Sequence, residues 1–159
     1  MIVRRALPAD APAMTALQNL IIREGGTTAY EDEREEADIL ARYIAPVDGI
    51  CCHVAELEGR VIGFQVVSPN PALPAGWAEI GTFVASDVQA RGIGQALFAA
   101  TGAAARAAGV AVLNATIRAD NRPGLAYYAR LGFVDYSADP GWALKSGAVV
   151  GRVSRRLDL

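Results

Sequence analysis

Apolar and polar residues alternate along the chain with two different periods. Short apolar runs between turn residues are typical of strands, whereas apolar residues recurring every three to four positions are typical of amphipathic helices. The predicted strands cover 2–6, 50–57, 60–67, 77–85, 110–117, 133–136 and 149–157, and the predicted helices cover about 10–24, 37–44, 92–108 and 123–131. A run of hairpin strands followed by strand–helix–strand units predicts an α/β (α+β) fold, with one mixed sheet of about six to seven strands and flanking helices.

One junction between a strand and a helix has the character of an anion site. An apolar strand ending near Ala85 is followed by a turn, and Gly92 and Gly94 then open an alanine-rich helix. Glycine lets the backbone approach a ligand closely, and the first turn of a helix offers unpaired N–H groups at the positive end of its dipole. The chain carries a net charge of −2, yet 88–119 contains three arginines and no acid. We therefore expect a pyrophosphate or a phosphorylated nucleotide there.

Composition limits the remaining possibilities. The 159 residues are 52% hydrophobic and 20% charged, which predicts a single globular domain spanning 1–159. No apolar run approaches the roughly 18 residues of a membrane span, and the N-terminus lacks the apolar region of a signal peptide, so a cytoplasmic protein is expected. The net negative charge and the absence of a basic aromatic surface argue against nucleic acid as a partner.

The cysteines and the single histidine are interpreted as structural residues. Cys51 and Cys52 are adjacent in a predicted strand, so their side chains point to opposite faces and a disulfide between them is not expected. Neither the cysteines nor His53 has the spacing of metal ligands, so no metal is predicted.

Three known glycine-loop patterns can be compared with this junction. A P-loop requires Gly-Lys-Ser/Thr, but the chain has Gly94-Gln95-Ala96. A dinucleotide-binding GxGxxG would need a third glycine at the position of Leu97 and an acid about 20 residues further on. The third pattern is Gln89-x-x-Gly92-x-Gly94, which resembles the acyl-CoA loop of the GNAT superfamily of N-acyltransferases.

A second segment strengthens this resemblance. In the GNAT superfamily, an Asn that opens the late helix, a Tyr seven residues on and a Gly-Phe pair just beyond form a recurring signature. Here these residues are Asn121, Tyr128, Gly132 and Phe133. The chain therefore resembles the GNAT acyl-CoA N-acyltransferases over nearly its whole length. Within that superfamily it is loosely similar to the phosphinothricin and amino-acid N-acetyltransferases.

The resemblance implies how acetyl-CoA, the acyl donor, is bound. Backbone N–H groups of the glycine turn would bind the pyrophosphate. Two central strands would splay apart, often with a bulge in the first, and pantetheine would lie between them. The N–H of Val84 would donate to the thioester carbonyl and to the developing oxyanion, and Asn121 would help to hold the pantetheine arm. The predicted cofactor-binding residues are Phe83, Val84, Ala85, Gln89, Ala90, Arg91, Gly92, Ile93, Gly94, Gln95 and Asn121.

Two residues are candidates for proton transfer in the implied reaction. Tyr128 would protonate the departing thiolate; the alternative is a packed aromatic residue, which is the role expected of Tyr127. Glu79 would deprotonate the acceptor ammonium, directly or through water, because burial beside the site would raise its pKa. The alternative for Glu79 is an exposed strand residue.

The acceptor is the least specified part of the prediction. Thr27, Thr28 and Tyr30, before an acidic stretch, resemble the acceptor loop of the phosphinothricin subgroup, and they are the predicted substrate-binding residues. The acids at 31–38 suit the start of a helix, but they are also compatible with a wall that attracts a cationic amine. Ala37, Leu40, Tyr43 and Ile44 are predicted to form the buried side of that helix.

The preferred function is transfer of an acetyl group to a primary amine of a small molecule, an amino acid or an analogue. Alternatives left open are an acyl-CoA sensor without turnover and an acetyltransferase of protein amines, polyamines or aminoglycosides. Because dimers are common in this superfamily, the resemblance also leaves a homodimer open.

Overall fold

The computed structural model describes residues 1–46, 48–88 and 92–159. Its helices and strands follow the predicted order. They are β1 (Ile2–Arg5), α1 (Ala11–Glu24), α2 (Glu36–Ile39), β2 (Cys51–Leu57), β3 (Arg60–Ser68), β4 (Trp77–Val84), α3 (Ile93–Ala107), β5 (Val112–Arg118), α4 (Arg122–Arg130), β6 (Val134–Asp139) and β7 (Arg152–Asp158). Within the described ranges, no helix is long and apolar enough to cross a membrane.

The strands form one mixed sheet in the order β1-β2-β3-β4-β5-β7-β6. β1 to β4 pair as antiparallel neighbours, β4 and β5 are parallel, and β5, β7 and β6 are again antiparallel. The prediction of a mixed sheet with flanking helices is therefore confirmed.

The parallel pair in the centre of the sheet separates after a short contact. β4 and β5 pair only from Trp77 to Glu79, opposite Val112 to Asn114. Past these residues the two strands diverge and leave a gap. On its other side, β4 pairs with β3 in unbroken register from Glu79 to Val84. The splayed strands are thus present, whereas the register of β4 contains no bulge.

Helices cover both faces of the sheet. Thr82 of β4 contacts Tyr128 of α4, and the backbone of Gly63 lies against Ile93 of α3. Phe83 points to the opposite face, because successive strand residues alternate. There it stacks near Tyr43, in the helical segment that continues α2. We call these the α3–α4 face and the α1–α2 face.

The second predicted helix differs from its expected form. After one α-helical turn at Glu36–Ile39, the chain continues as a π-helix over Leu40–Ile44. The buried positions are Ile39 and Tyr43, four residues apart, so Ala37 in the first turn lies on the opposite side of the helix and is exposed. The predicted inward position of Ala37 was therefore wrong, whereas Tyr43 is buried as expected.

The cysteines and the histidine lie on β2, away from the gap. Cys51 and Cys52 are free and buried, and burial raises the pKa of their thiols to about 11 and about 12. His53 Nδ1 lies 3.2 Å from Thr101 Oγ1 of α3. Within the part of the chain that the structure describes, no group of three or more His, Cys, Asp or Glu side chains could hold a metal ion.

Candidate active site

The gap between β4 and β5 exposes backbone groups of β4. In an antiparallel ladder, only alternate residues direct their N–H and C=O groups at the partner strand. Ala85 N–H donates to Ile62 O at 2.9 Å, on the β3 side. The N–H groups of Thr82 and Val84 therefore point the other way, into the gap. Of the predicted backbone contacts Phe83, Val84 and Ala85, only Val84 is turned toward the gap, and the other two face β3.

Tyr128 borders the gap on the α3–α4 face. Its side chain is only 6% exposed, and it packs edge-on against the rings of Tyr127 and Phe133 at 4.9 and 5.0 Å. Its hydroxyl lies 2.9 Å from Thr82 Oγ1. Burial, the neighbouring Tyr127 and the charge of Glu79 raise the pKa of Tyr128 above its usual value, although the hydrogen bond with Thr82 opposes the rise. The phenol is therefore protonated at neutral pH, as a proton donor must be.

A chain of hydrogen bonds connects Tyr128 to the start of α3. Gln65 Nε2 donates to Thr82 Oγ1 at 2.8 Å and to the Tyr127 hydroxyl at 3.0 Å. Tyr127 in turn donates to the carbonyl of Gly94 at 2.8 Å. Tyr127 is thus a packed aromatic residue, as predicted, but its hydroxyl also belongs to a polar network.

Glu79 lies on β4 where the pairing with β5 ends. Its Oε2 accepts a 2.6 Å hydrogen bond from Asn114 Nδ2. Asn114 is itself held by Tyr136, whose hydroxyl donates to Asn114 Oδ1 at 2.5 Å. Burial raises the pKa of the Glu79 carboxyl, while hydrogen bonds from neighbours including Asn114 oppose the rise. The carboxyl is therefore partly desolvated, which makes it a better base than an exposed glutamate.

The two candidate proton-transfer residues lie on opposite faces of the sheet. Glu79 has the same strand parity as Phe83 and so belongs to the α1–α2 face, whereas Tyr128 contacts Thr82 on the α3–α4 face. In a continuous sheet, the backbone would separate them. Because the strands diverge here, a group lying in the gap is accessible from both faces.

The loop after α1 covers the gap on the α1–α2 face. Tyr30 stacks on Phe83 of β4 with ring centroids 6.4 Å apart. Thr28 O accepts from Arg118 Nη1 of β5 at 3.3 Å, and Thr27 O accepts from Asn121 Nδ2 at 2.8 Å. The predicted substrate-binding loop therefore spans both diverging strands.

A cleft of about 250 Å³ lies under this loop. Its lining residues are Ile22, Gly25, Gly26, Thr28, Tyr30, Glu31, Arg118 and Leu144. The turn after β6 closes one side of the cleft, because Lys145 N–H donates to the Glu31 carboxylate and the Lys145 ammonium pairs with Asp32. Thr28 and Tyr30 line the cleft, and Thr27 contributes through its carbonyl contact with Asn121.

Asn121 has a structural role that accounts for both ends of its amide. Its Oδ1 accepts from Gly124 N–H at 2.9 Å and caps α4, while Nδ2 donates to Thr27 O. The capping role agrees with the sequence, and the predicted contact with pantetheine remains a prediction.

The two glycines at the start of α3 have different structural reasons. Gly92 precedes α3 with φ of +74°, a conformation that favours glycine, and a Cβ placed there would meet nothing within 4 Å. At Gly94 a Cβ would lie 2.6 Å from Tyr127 Cε2, so this glycine is required by packing. The predicted contacts at Gln89, Ala90 and Arg91 lie outside the described residues.

Sequence reasoning missed several polar residues of the site. Gln65 and Thr82 lie inside apolar strands, and their polar character amid apolar neighbours was the only available signal. Arg118 was assigned to the positive region around the anion site, but its guanidinium pairs with Asp120 at 2.7 Å and faces the cleft loop. The face on which Arg118 lies depends on the alternation of side chains along β5, and the sequence alone does not give the register of that strand.

Comparisons with known proteins agree with this geometry. Residues 14–133 match a model of the Acetyltransferase (GNAT) family. No curated protein matches the chain.

Solved structures match over the whole fold. A ribosomal-protein-alanine N-acetyltransferase from Brucella melitensis is 27% identical, with a TM-score of 0.90 and 100% of each chain covered. A phosphinothricin acetyltransferase from Sinorhizobium meliloti, solved in complex with acetyl-CoA, is 22% identical, with a TM-score of 0.88 over 99% of this chain and 88% of that one. A GCN5-related N-acetyltransferase from Kribbella flavida is 24% identical, with a TM-score of 0.85 over 99% and 97%.

The family match covers most of the chain and includes both segments that carried the resemblance, the glycine turn and the late helix with its Gly-Phe pair. The chain therefore belongs to the GNAT family of acetyltransferases, and it is an N-acetyltransferase whose acyl donor is acetyl-CoA.

Proposed function

We propose that this enzyme transfers the acetyl group of acetyl-CoA to a primary amine of a small molecule, with Glu79 as general base and Tyr128 as general acid. The observation that carries the proposal is the position of these two residues on opposite faces of the gap between β4 and β5. A thioester lying in the gap would have a base on the acceptor side and an acid beside its sulfur.

The donor would be held mainly by backbone groups. The first-turn N–H groups of α3, after the positive-φ residue Gly92, are unpaired within the helix and suit a pyrophosphate. The N–H of Val84 points into the gap, where it could donate to the thioester carbonyl. Asn121 remains a candidate contact for pantetheine, because it lies where the start of α4 meets the loop at Thr27.

The reaction follows from these positions. Glu79, directly or through water, removes a proton from the acceptor ammonium, and the amine nitrogen attacks the thioester carbon. The resulting oxyanion accepts a hydrogen bond from Val84 N–H. When the C–S bond breaks, the sulfur leaves with the bonding electrons and takes the hydroxyl proton of Tyr128. The nitrogen, which became positively charged on attack, releases its second proton to solvent, and the Tyr128 phenolate takes up a proton from solvent, which gives the neutral amide, free CoA and the starting form of Tyr128. Holding both reactants in one gap converts the attack into an intramolecular event.

The dimensions of the cleft support a small acceptor. About 250 Å³ is slightly below the usual range of drug-sized ligand pockets, and the contacts of Lys145 with Glu31 and Asp32 close one side of it. Its lining combines an acid, a guanidinium and Tyr30, which suits a zwitterionic amine such as an amino acid or an analogue. This is the acceptor class that the loop of Thr27, Thr28 and Tyr30 predicted.

A protein N-terminus is the second candidate acceptor. The relative from Brucella melitensis, matched over the full length of both chains, is named as acting on a ribosomal-protein alanine. A peptide would have to enter the cleft by its first residue and leave past the loop and the turn at Lys145.

The experiment measures CoA release with amino acids and analogues, polyamines, and short peptides with an unblocked alanine N-terminus. On the accepted amine, Tyr128→Phe is expected to lower kcat on the order of 100-fold, with the Kd of acetyl-CoA within twofold of the parent. Thr101→Val is the control, because it removes a fully buried hydroxyl, the one 3.2 Å from His53 Nδ1, that lies outside the gap. A parent-like kcat for Tyr128→Phe would remove the proposed acid, and turnover of peptides alone would replace the small-molecule acceptor.

A further inference from the structure

We propose that the backbone carbonyl of Gly94 sets the direction of the hydrogen-bond chain through Tyr127, Gln65 and Thr82, so that the hydroxyl proton of Tyr128 is left pointing into the gap. Gln65 and Thr82 are then positioning residues for the proton donor. The inference rests on the proposed role of Tyr128 as general acid.

The direction is fixed at one end of the chain, because a carbonyl oxygen can only accept. The Tyr127 hydroxyl, 2.8 Å from Gly94 O, must donate its single proton there. The Tyr127 oxygen is then left to accept from its other neighbour, Gln65, at 3.0 Å. The amide group of Gln65 that faces Tyr127 must therefore be the NH₂ group.

The same amide group passes the direction on to Thr82. The second N–H of Gln65 Nε2 donates to Thr82 Oγ1 at 2.8 Å. Thr82 accepts there, and its own proton goes to the Tyr128 oxygen 2.9 Å away rather than to the neighbouring Tyr127 oxygen, which already accepts from Gln65. Each hydroxyl has one proton to donate. Tyr128 accepts from Thr82, and its own proton is not used within the chain.

The opposite orientation of the Gln65 amide would trap that proton. With Oε1 facing the hydroxyls, two acceptors would meet at Tyr127, and Thr82 would donate to the amide and accept from Tyr128. Gln65 is fully buried, and its Oε1 has no partner among the described residues. Among the described residues, no hydrogen bond to Oε1 therefore favours the opposite orientation of the Gln65 amide over the one that the Gly94 carbonyl imposes.

The chain also favours departure of the proton. As Tyr128 gives up its proton, negative charge develops on its oxygen, and a donor already aimed at that oxygen stabilises the charge. Removing the Thr82 hydroxyl removes this donor and leaves the Tyr128 proton without a preferred direction.

The test compares Thr82→Val and Thr82→Ser, after thermal unfolding has shown that both fold. Thr82→Val is expected to lower kcat about 10-fold, a part of the usual general-acid contribution, with the Kd of acetyl-CoA within twofold of the parent. Thr82→Ser retains the hydroxyl and should recover most of the loss. The matched control is Thr101→Val, which removes another buried threonine hydroxyl, the one bonded to His53, and should leave kcat unchanged. Gln65→Leu is the second variant, with an expected loss in the same direction.

A double mutant separates positioning from structural damage. If Thr82 acts through Tyr128, then Thr82→Val should cost little more once Tyr128→Phe is present. A full, additive loss in that background would overturn the inference. A parent-like kcat for both Thr82→Val and Gln65→Leu, with Tyr128→Phe still impaired, would overturn it and leave the proposed function standing. A parent-like Tyr128→Phe would overturn the proposed function itself, and this inference with it.

Discussion

Replacing Gly94 by alanine tests the contact that joins the glycine turn to α4. A Cβ on Gly94 would lie 2.6 Å from Tyr127 Cε2, 3.0 Å from Cζ and 3.3 Å from the hydroxyl oxygen. Real Cβ atoms do not approach other atoms so closely, so the ring has to move. That movement would break the bond from Tyr127 to the Gly94 carbonyl and disturb the one from Gln65.

The balance of free energies favours destabilisation. Overpacking of this kind costs about 1–3 kcal/mol, and a lost hydrogen bond adds roughly 0.5–1.5 kcal/mol. Alanine is better than glycine in a helix by at most about 1 kcal/mol, and Gly94 lies in the first turn, where that gain is smaller. We expect a net loss of roughly 2 kcal/mol, which for a domain of this length lowers Tm by about 4–8 °C.

Gly102 in the same helix is the matched control. A Cβ there would meet the Phe98 ring at 3.4 to 3.7 Å, which is ordinary van der Waals contact. Gly102→Ala should therefore stabilise the protein by roughly 0.5–1 kcal/mol. Thermal and urea unfolding of both variants measure the contrast, and Gly94→Ala should cost less when Tyr127→Leu is also present. A Gly94→Ala variant that melts at or above the parent, as Gly102→Ala should, would refute the packing argument.

Two further predictions concern Glu79 and Asn121. Burial raises the pKa of Glu79, so the folded protein holds this proton more tightly than the unfolded chain, and its contribution to stability is lost as pH rises from the unfolded value of about 4.3 to the higher folded value. Glu79→Gln should therefore be more stable than the parent at pH 7. Thermal unfolding should show that this difference in stability shrinks toward pH 4, and kcat/KM should be reduced. A stability difference that does not change with pH would contradict the raised pKa. Asn121→Ala should lower the free energy of unfolding by about 1 kcal/mol, because α4 loses its cap. Asn121→Ser keeps a capping oxygen but loses the hydrogen bond to Thr27 O. It should therefore raise the KM of the acceptor with a smaller change in stability. Equal stability of the Ala and Ser variants in urea unfolding would contradict the cap.

The sequence predicted those parts of the fold that depend on local signals. Gly92 and the alanine-rich run after it located the start of α3, and Asn121 and Gly132 bracketed α4. The π-helical turn at Leu40–Ile44 was missed because hydrophobic spacing alone does not distinguish a wider turn from an α-helical one over five residues.

The site was predicted where a motif fixed a residue and missed where pairing between strands fixed it. Tyr128 was found by its spacing from Asn121. Thr82 and Gln65 meet because they are register partners on β3 and β4, and no local pattern marks them. Arg118 was misassigned for the same reason, since its face depends on the parity of β5 counted from Asn114.

The first turn of α3 takes part in both proposed roles, binding of the pyrophosphate and orientation of the hydrogen-bond chain. Its unpaired N–H groups point toward the proposed pyrophosphate site, while its carbonyl at Gly94 receives the Tyr127 hydroxyl. A helix carbonyl accepts from the N–H four residues on and keeps a second lone pair for another donor. A side-chain acceptor can rotate, but a carbonyl held by the helix cannot. The direction of the chain from Gly94 to Tyr128 is therefore as rigid as α3 itself, and the missing Cβ at Gly94 is what allows Tyr127 to reach that carbonyl.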